Sequence, residues 1–290
     1  MIFCSGLINP EGPVALADGS WLCVEGGARR GCITQVSPDG QERRVVARTG
    51  RPNGLAVGRD GSIWVAESKN PSLLRVTLAG TVETVSIACD GEPFLFPNDL
   101  CLGPDGAIYM TDSGVHIDEF APGGRIRADY QRVAYDGRLY RLDVKTGAIR
   151  KLDAGLKFTN GIAFGPDGHL YVNETLTGAI YRYCRGPGGE FGPRTEFGNV
   201  IDPAAPPGWK GPDGMAFGAD GRLYVAVFAQ GDVTVLDPDG AVVERVGTRG
   251  KLPTNCAFAP PGNRKLYVTE YELGQIEVFD VETDGLPLHT

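Results

Sequence analysis

Six copies of one short pattern constrain this chain more than any other feature. Each copy runs from an oxygen-bearing side chain through a brief apolar stretch and a Gly-rich turn into a second apolar stretch. The copies open as Glu11-Gly-Pro-Val-Ala, Asn53-Gly-Leu-Ala-Val, Asn98-Asp-Leu-Cys-Leu, Asn160-Gly-Ile-Ala-Phe, Asp213-Gly-Met-Ala-Phe and Asn255-Cys-Ala-Phe-Ala. Their starts are separated by 42, 45, 62, 53 and 42 residues. A period of roughly 40–50 residues built on paired short strands is the mark of propeller blades. The segments are too short and too rich in Gly, Val and Tyr to be the helices of a solenoid. In most copies an Asp-Gly step supplies the hairpin turn: Asp bonds its own backbone and Gly takes the φ > 0 position.

The expected fold is therefore all-β: a six-bladed β-propeller with four antiparallel strands per blade, one domain over residues 1–290. Outer strands are expected at Leu73–Thr77 and Thr81–Ile87, at Arg138–Asp143 and Ile149–Leu152, and at Val233–Asp237 and Val242–Val246. The last copy has a third strand at Gln275–Asp280 and only a poor fourth in the tail. The N-terminal residues Ile2–Leu7 precede the first hairpin and lack a blade, so they are expected to supply the missing strand and close the ring.

Composition agrees. The 290 residues include 42 Gly and 21 Pro spread along the chain, which suits many tight turns. Net charge is −8 without a basic cluster, which weighs against nucleic-acid or anionic-membrane partners. No window is long and apolar enough to span a membrane. Seven cysteines, an odd number without metal-ligand spacing, and an N-terminus unlike a signal peptide read as reduced thiols in a cytoplasmic protein, monomeric or weakly self-associating.

The first residue of each copy should sit at one height near a channel mouth. Glu11, Asn53, Asn98, Asn160, Asp213 and Asn255 all carry side-chain oxygen. A single Asn-Gly or Asp-Gly pair marks only a turn before a strand. Six in one phase are harder to explain that way, and Glu11 is no turn residue. Carboxylates and amides converging on a narrow channel call for a hard divalent cation. No His or Cys stands at these positions, which weighs against zinc as the preferred ion.

These motifs resemble the regucalcin/gluconolactonase/luciferin-regenerating enzyme family over essentially the whole chain. Glu11-Gly-Pro resembles its blade-one opening and Phe-Pro-Asn98-Asp99 its blade-three motif. Phe-Thr-Asn160-Gly resembles its blade-four motif, and Gly-Pro-Asp213-Gly-Met its blade-five signature. The resemblance implies that Glu11, Asn160 and Asp213 bind one divalent metal ion, with Ca²⁺ first and Mg²⁺, Mn²⁺ or Zn²⁺ as alternatives. It also implies that Asn98, with Asp99 beside it, reaches a small-molecule lactone, and that Asp213 doubles as acid and base. Phe96 departs from sugar lactonases that carry Arg two residues before the blade-three Asn, which would favour a less polar lactone.

The longest insertion, about residues 114–137, is expected to act as a lid or a surface excursion, with His116 as a substrate contact. Trp209, in a second insertion at 186–210, would wall the pocket or serve packing. Ser113 and Cys101 lack a nucleophile-elbow context. A non-catalytic NHL-type binding propeller, an arylesterase- or phosphotriesterase-like metal hydrolase, a lyase resembling virginiamycin lyase and a strictosidine-synthase-like condensation are the competing readings.

Overall fold

The computed structural model describes residues 1–27 and 30–289. Six four-stranded antiparallel sheets follow one another along the chain. Blade one is Pro10–Ala15, Trp21–Glu25, Cys32–Val36 and Arg43–Arg48. Blades two to five open with Pro52–Val57, Pro97–Leu102, Thr159–Phe164 and Gly211–Phe217 as their innermost strands. Blade six is Pro253–Phe258, Lys265–Glu270 and Gln275–Asp280, and its outermost strand is Ile2–Ser5 from the other end of the chain.

Six apolar clusters hold the blades together, one at each junction. Leu22, Val24 and Ile33 of blade one meet Leu55, Ile63 and Val65 of blade two. Tyr224 and Val235 of blade five meet Leu266 and Val268 of blade six. The ring closes where Cys4 and Ile276 of blade six pack on Trp21 and Cys23 of blade one. Because each sheet is covered on both faces, its middle strands are largely buried, as in Leu-Tyr-Val-Ala-Val after Arg222 and in Ser72–Val76, where Arg75 alone is exposed.

The expected strands are present, with small differences in bounds. The N-terminal closing strand spans Ile2–Ser5, pairing Ile2 with Glu277 and Cys4 with Ile276. Phe3 packs edge-on against Tyr267 at 5.0 Å, and Tyr267 stacks on Trp21 of blade one at 4.0 Å. Deleting residues 1–6 should cost about 3 kcal/mol of burial and aromatic contact, lower the melting temperature by about 5–10 °C and expose a sticky edge. Calorimetry and light scattering check this; an unchanged midpoint would mean the strand is dispensable.

The insertion at 186–210 is only half an insertion. Its first part, Phe191–Asn199, is the outer strand of blade four, paired with Ala179–Arg185. Its polar, Gly-containing sequence masks the strand because this strand is exposed on its outer side. The C-terminal tail lies across the far end of the inner strands: Leu286 N donates to Phe217 O, and the His289 ring meets Phe164 at 5.7 Å. All seven thiols are free. No helix among the described residues is long and apolar enough to cross a membrane.

Candidate active site at the axial mouth

All six innermost strands slip register against their neighbours at the same place, beginning within a residue or two of the repeat's first oxygen-bearing side chain. Such a bulge re-aims the local side chain, and its sixfold recurrence turns Glu11, Asn53, Asn98, Asn160, Asp213 and Asn255 toward one another. The contacts run across the ring. Asn255 Nδ2 donates to Glu11 Oε1 at 3.0 Å and reaches Asp99 Oδ2 at 3.5 Å. Asn53 Nδ2 donates to Asn98 Oδ1 at 3.0 Å.

The glycine that follows four of the six ring residues has a packing reason beyond turn formation. A Cβ on Gly214 would stand 1.8 Å from the Asn255 side chain, and one on Gly54 would stand 2.3 Å from Asp99 Oδ1. Blade three carries Asp99 where the other blades carry Gly or Cys, and the missing Cβ at Gly54 makes room for its carboxylate. The axis therefore holds three carboxylates: Glu11, Asp99 and Asp213. Burial first, then the charges of Asp99 and Asp213, push the Glu11 carboxyl well above its usual range. Burial and Asp99 do the same to Asp213, opposed by Asn160 and by Arg51. Burial raises Asp99 to about 7.

Glu11, Asn98, Asp99, Asn160 and Asn255 are buried, whereas Asp213 and Asn53 keep some accessible surface. Asp213 is thus the axial carboxylate best placed to meet an entering molecule. Asn98 is fully oriented by protein: its Nδ2 donates to Ser113 Oγ at 2.9 Å, and Ser113 Oγ donates to Thr159 O at 2.9 Å. Ser113 is thus an orienting group in this network.

Among the described residues three buried side-chain oxygens have no partner, and two of them belong to the ring: Glu11 Oε2 and Asn160 Oδ1; the third is Asn173 Oδ1 in the second strand of blade four. An orphaned buried carboxylate oxygen facing other carboxylates is costly unless a cation answers it. Among the described residues no three His, Cys, Asp or Glu side chains form a ligand cluster by themselves. The donors here are a mixture of carboxylate and amide oxygens, which suits a hard divalent cation. The residues present therefore fit such an ion.

His116 is set apart from this ring. Its Nδ1 accepts from Asp118 N at 3.4 Å and caps the short helix Ile117–Phe120, and its side chain is 42% exposed. The rest of the 114–137 insertion anchors itself beside the mouth. Phe120 packs on Phe158 at 4.7 Å and on Trp209 at 4.8 Å, and Phe158 packs edge-on against Phe96 at 5.8 Å. Trp209 thus staples the two insertions together, and the aromatic group walls the blade-three and blade-four side of the mouth.

Sequence reasoning missed two features. Glu25, Glu67, Asp112, Glu174 and Glu270 end the second strands of five blades and look like further site acids. Each is buried and accepts backbone N–H groups from the segment entering its own blade. They hold the mouth loops in place. The signal was their shared position after the second apolar stretch. The other missed residue is Arg51, two positions before the ring residue of blade two. Its guanidinium carbon sits 5.2 Å from the Phe96 ring centroid.

The family model described as SMP-30/Gluconolactonase/LRE-like region matches residues 9–272. The chain belongs to this family. It is 29% identical over 282 residues to a gluconolactonase of Zymomonas mobilis, covering 90% of this chain and 76% of that protein. It is 26% identical over 297 residues to a diisopropyl-fluorophosphatase of Loligo vulgaris, covering 95% and 90%. A solved gluconolactonase from Xanthomonas campestris superposes with a TM-score of 0.79 over 98% of this chain and 89% of that one, at 24% identity, a likeness of fold. For this member of the SMP-30/gluconolactonase family, the matched region takes in all six ring residues and Arg51.

Proposed function

We propose that the chain is a metal-dependent lactone hydrolase that opens a sugar-type or other small lactone to its hydroxy acid. The observation that carries this reading is the pair of partnerless buried oxygens, Glu11 Oε2 and Asn160 Oδ1, beside the accessible Asp213. Glu11, Asn160 and Asp213 would hold one divalent cation, Ca²⁺ first because every donor is oxygen. Such an ion supplies Lewis-acid polarisation of a carbonyl oxygen and offsets the charge of the carboxylates.

The chain's own residues do the rest. Asp213 is positioned to take a proton from the attacking water at its carboxylate and return it to the leaving alkoxide. A carboxylate base suffices for a lactone and hardly for an amide, whose leaving group is far more basic. Asn98, held by Asn53 and Ser113, still has one N–H to donate to the substrate. Asp99, whose carboxyl burial raises to about 7 when no cation is bound, stands beside them in the same cluster. The aromatic wall of Phe96, Phe158 and Trp209 limits water at one side of the mouth.

The test is acid release on a panel of aldonolactones and simple lactones, with one phosphofluoridate because of the fluorophosphatase relative. Turnover on at least one lactone is expected, lost after chelation and restored by a single added metal. Lactone turnover that survives exhaustive chelation would contradict the metal role. Turnover of the phosphofluoridate alone would move the assignment to a phosphotriesterase.

A further inference from the structure

Among the described residues, Arg51 is the cation that bears on the ring acids Glu11 and Asp213, and its bonding is incomplete. Its Nη1 donates to Ser68 Oγ at 2.8 Å and reaches Asn53 Oδ1 at 3.5 Å. One face of the guanidinium is covered by the Phe96 ring, a cation–π contact that fixes the plane. The backbone on both sides is clamped: Glu67 accepts from Arg51 N at 2.8 Å, and Asp112 accepts from Phe96 N at 2.9 Å. No carboxylate among the described residues forms an ion pair with the guanidinium, and neither Nε nor Nη2 has a hydrogen-bond acceptor there, although these two nitrogens form its parallel two-donor edge. The side chain is only partly exposed. Burial pulls its pKa down from the usual arginine value, while Tyr271, Glu67, Glu11 and Asp213 pull it up from a distance. A rigid, partly desolvated guanidinium with an open fork, beside the carboxylate ring, is arranged for a planar acceptor that enters from the mouth.

Resting on the lactonase reading, we propose that Arg51 is the specificity-determining residue of this site: its Nε–Nη2 edge binds an oxyanion substituent of the lactone, so that the preferred substrates are lactones bearing a carboxylate or phosphate group. Phe96 then acts as the platform for that arginine, and an apolar residue at this position accompanies an acidic substrate. This replaces the less polar lactone that Phe96 alone suggested.

The experiment compares metal-loaded protein on glucono-δ-lactone and on the same lactone carrying a phosphate at its terminal hydroxyl, with glucarolactone as a carboxylate-bearing third substrate. The wild type is expected to favour at least one anionic lactone in kcat/KM. The substitution Arg51→Met should cost the favoured anionic lactone at least about tenfold more than it costs the neutral one, in line with a charge-assisted bidentate pair. Arg51→Lys should fall between, since a point charge lacks the fork. The phosphate and carboxylate arms tell which oxyanion is taken. Equal losses on neutral and anionic lactones would overturn the proposal and leave Arg51 as a counter-charge for the ring acids. A wild type indifferent to substrate charge would overturn it as well. If no lactone is turned over, the parent reading fails on its own. Calorimetric binding of phosphogluconate against gluconate, in wild type and Arg51→Met, then decides the oxyanion edge: a preference for the phosphorylated acid that the substitution removes supports it, and equal binding overturns it.

Discussion

Asp213→Asn should lower lactone turnover by at least ~10³-fold, at the upper end of what a positioned general acid–base group supplies. On the proposed mechanism the change removes the proton acceptor and one anionic ligand together, yet it is nearly isosteric. Asp213 sits on an inner strand whose carbonyl accepts from Asn173 Nδ2 and whose neighbour Pro212 O accepts from Thr175 Oγ1 at 2.8 Å, so the backbone has its own supports. Beyond burial, the charge of Asp99 and its own raise the Glu11 carboxyl, and the charge of Asp99 raises that of Asp213. Removing the Asp213 charge relieves repulsion, so the melting temperature should stay level or rise slightly. Glu11→Gln makes an informative partner. Its Oε1 is already satisfied by Asn255 and its Oε2 faces no donor. That variant should lose activity chiefly through metal affinity and regain part of it at high metal concentration, whereas Asp213→Asn should not. Rates within a fewfold of wild type for Asp213→Asn in excess metal would remove Asp213 from the mechanism.

Metal binding and pH should act on stability through the same three acids. In the metal-free protein, Glu11 and Asp213 are pushed well up and Asp99 to about 7. An unfolded chain has these groups near 4. Between those values the folded state holds more protons than the unfolded one, so stability falls as pH rises through the window from about 4 to about 7. Chelator-treated protein should therefore melt at a lower temperature at pH 8 than at pH 5.5. Saturating metal answers the carboxylates directly. At a hundred times its dissociation constant it adds about 2.7 kcal/mol, or about 5 °C for a chain of this size. The gain should be larger at pH 8, because at pH 5.5 the ion must displace protons. Differential scanning calorimetry at the two pH values, with and without metal, reads both effects. A metal-free protein whose stability is flat or rising over that window would show that the three carboxylates do not share one desolvated space.

The six-copy repeat told which residues would meet. A propeller places equivalent positions at equivalent heights, so a motif in one phase is a ring in space, and the six first residues of the copies could be grouped before any contact was seen; the family resemblance, not the repeat, singled out Glu11, Asn160 and Asp213. The closing strand was legible for a related reason: Gln275–Asp280 had no fourth strand and Ile2–Ser5 had no blade. Blade four's outer strand was not legible, because Phe191–Asn199 faces water and lacks the apolar alternation that burial imposes.

The sequence by itself determined the blade count, the closure and the phase of the oxygen ring, since all three follow from repetition and from the hydrophobic demand of stacked sheets. Tertiary structure alone decided which acids turn to the axis and which hold the mouth loops. Glu67 and Asp112 read like Glu11 and Asp213 in the chain, yet they turn to backbone N–H groups while the others turn to the axis. It also decided that Asp99 completes a carboxylate trio, because the space for it comes from a glycine 45 residues away in the chain. Arg51 and Phe96 lie outside the repeat and come from different blades. Their pairing depends on how two neighbouring blades splay at the mouth, and local pattern carries no record of that distance.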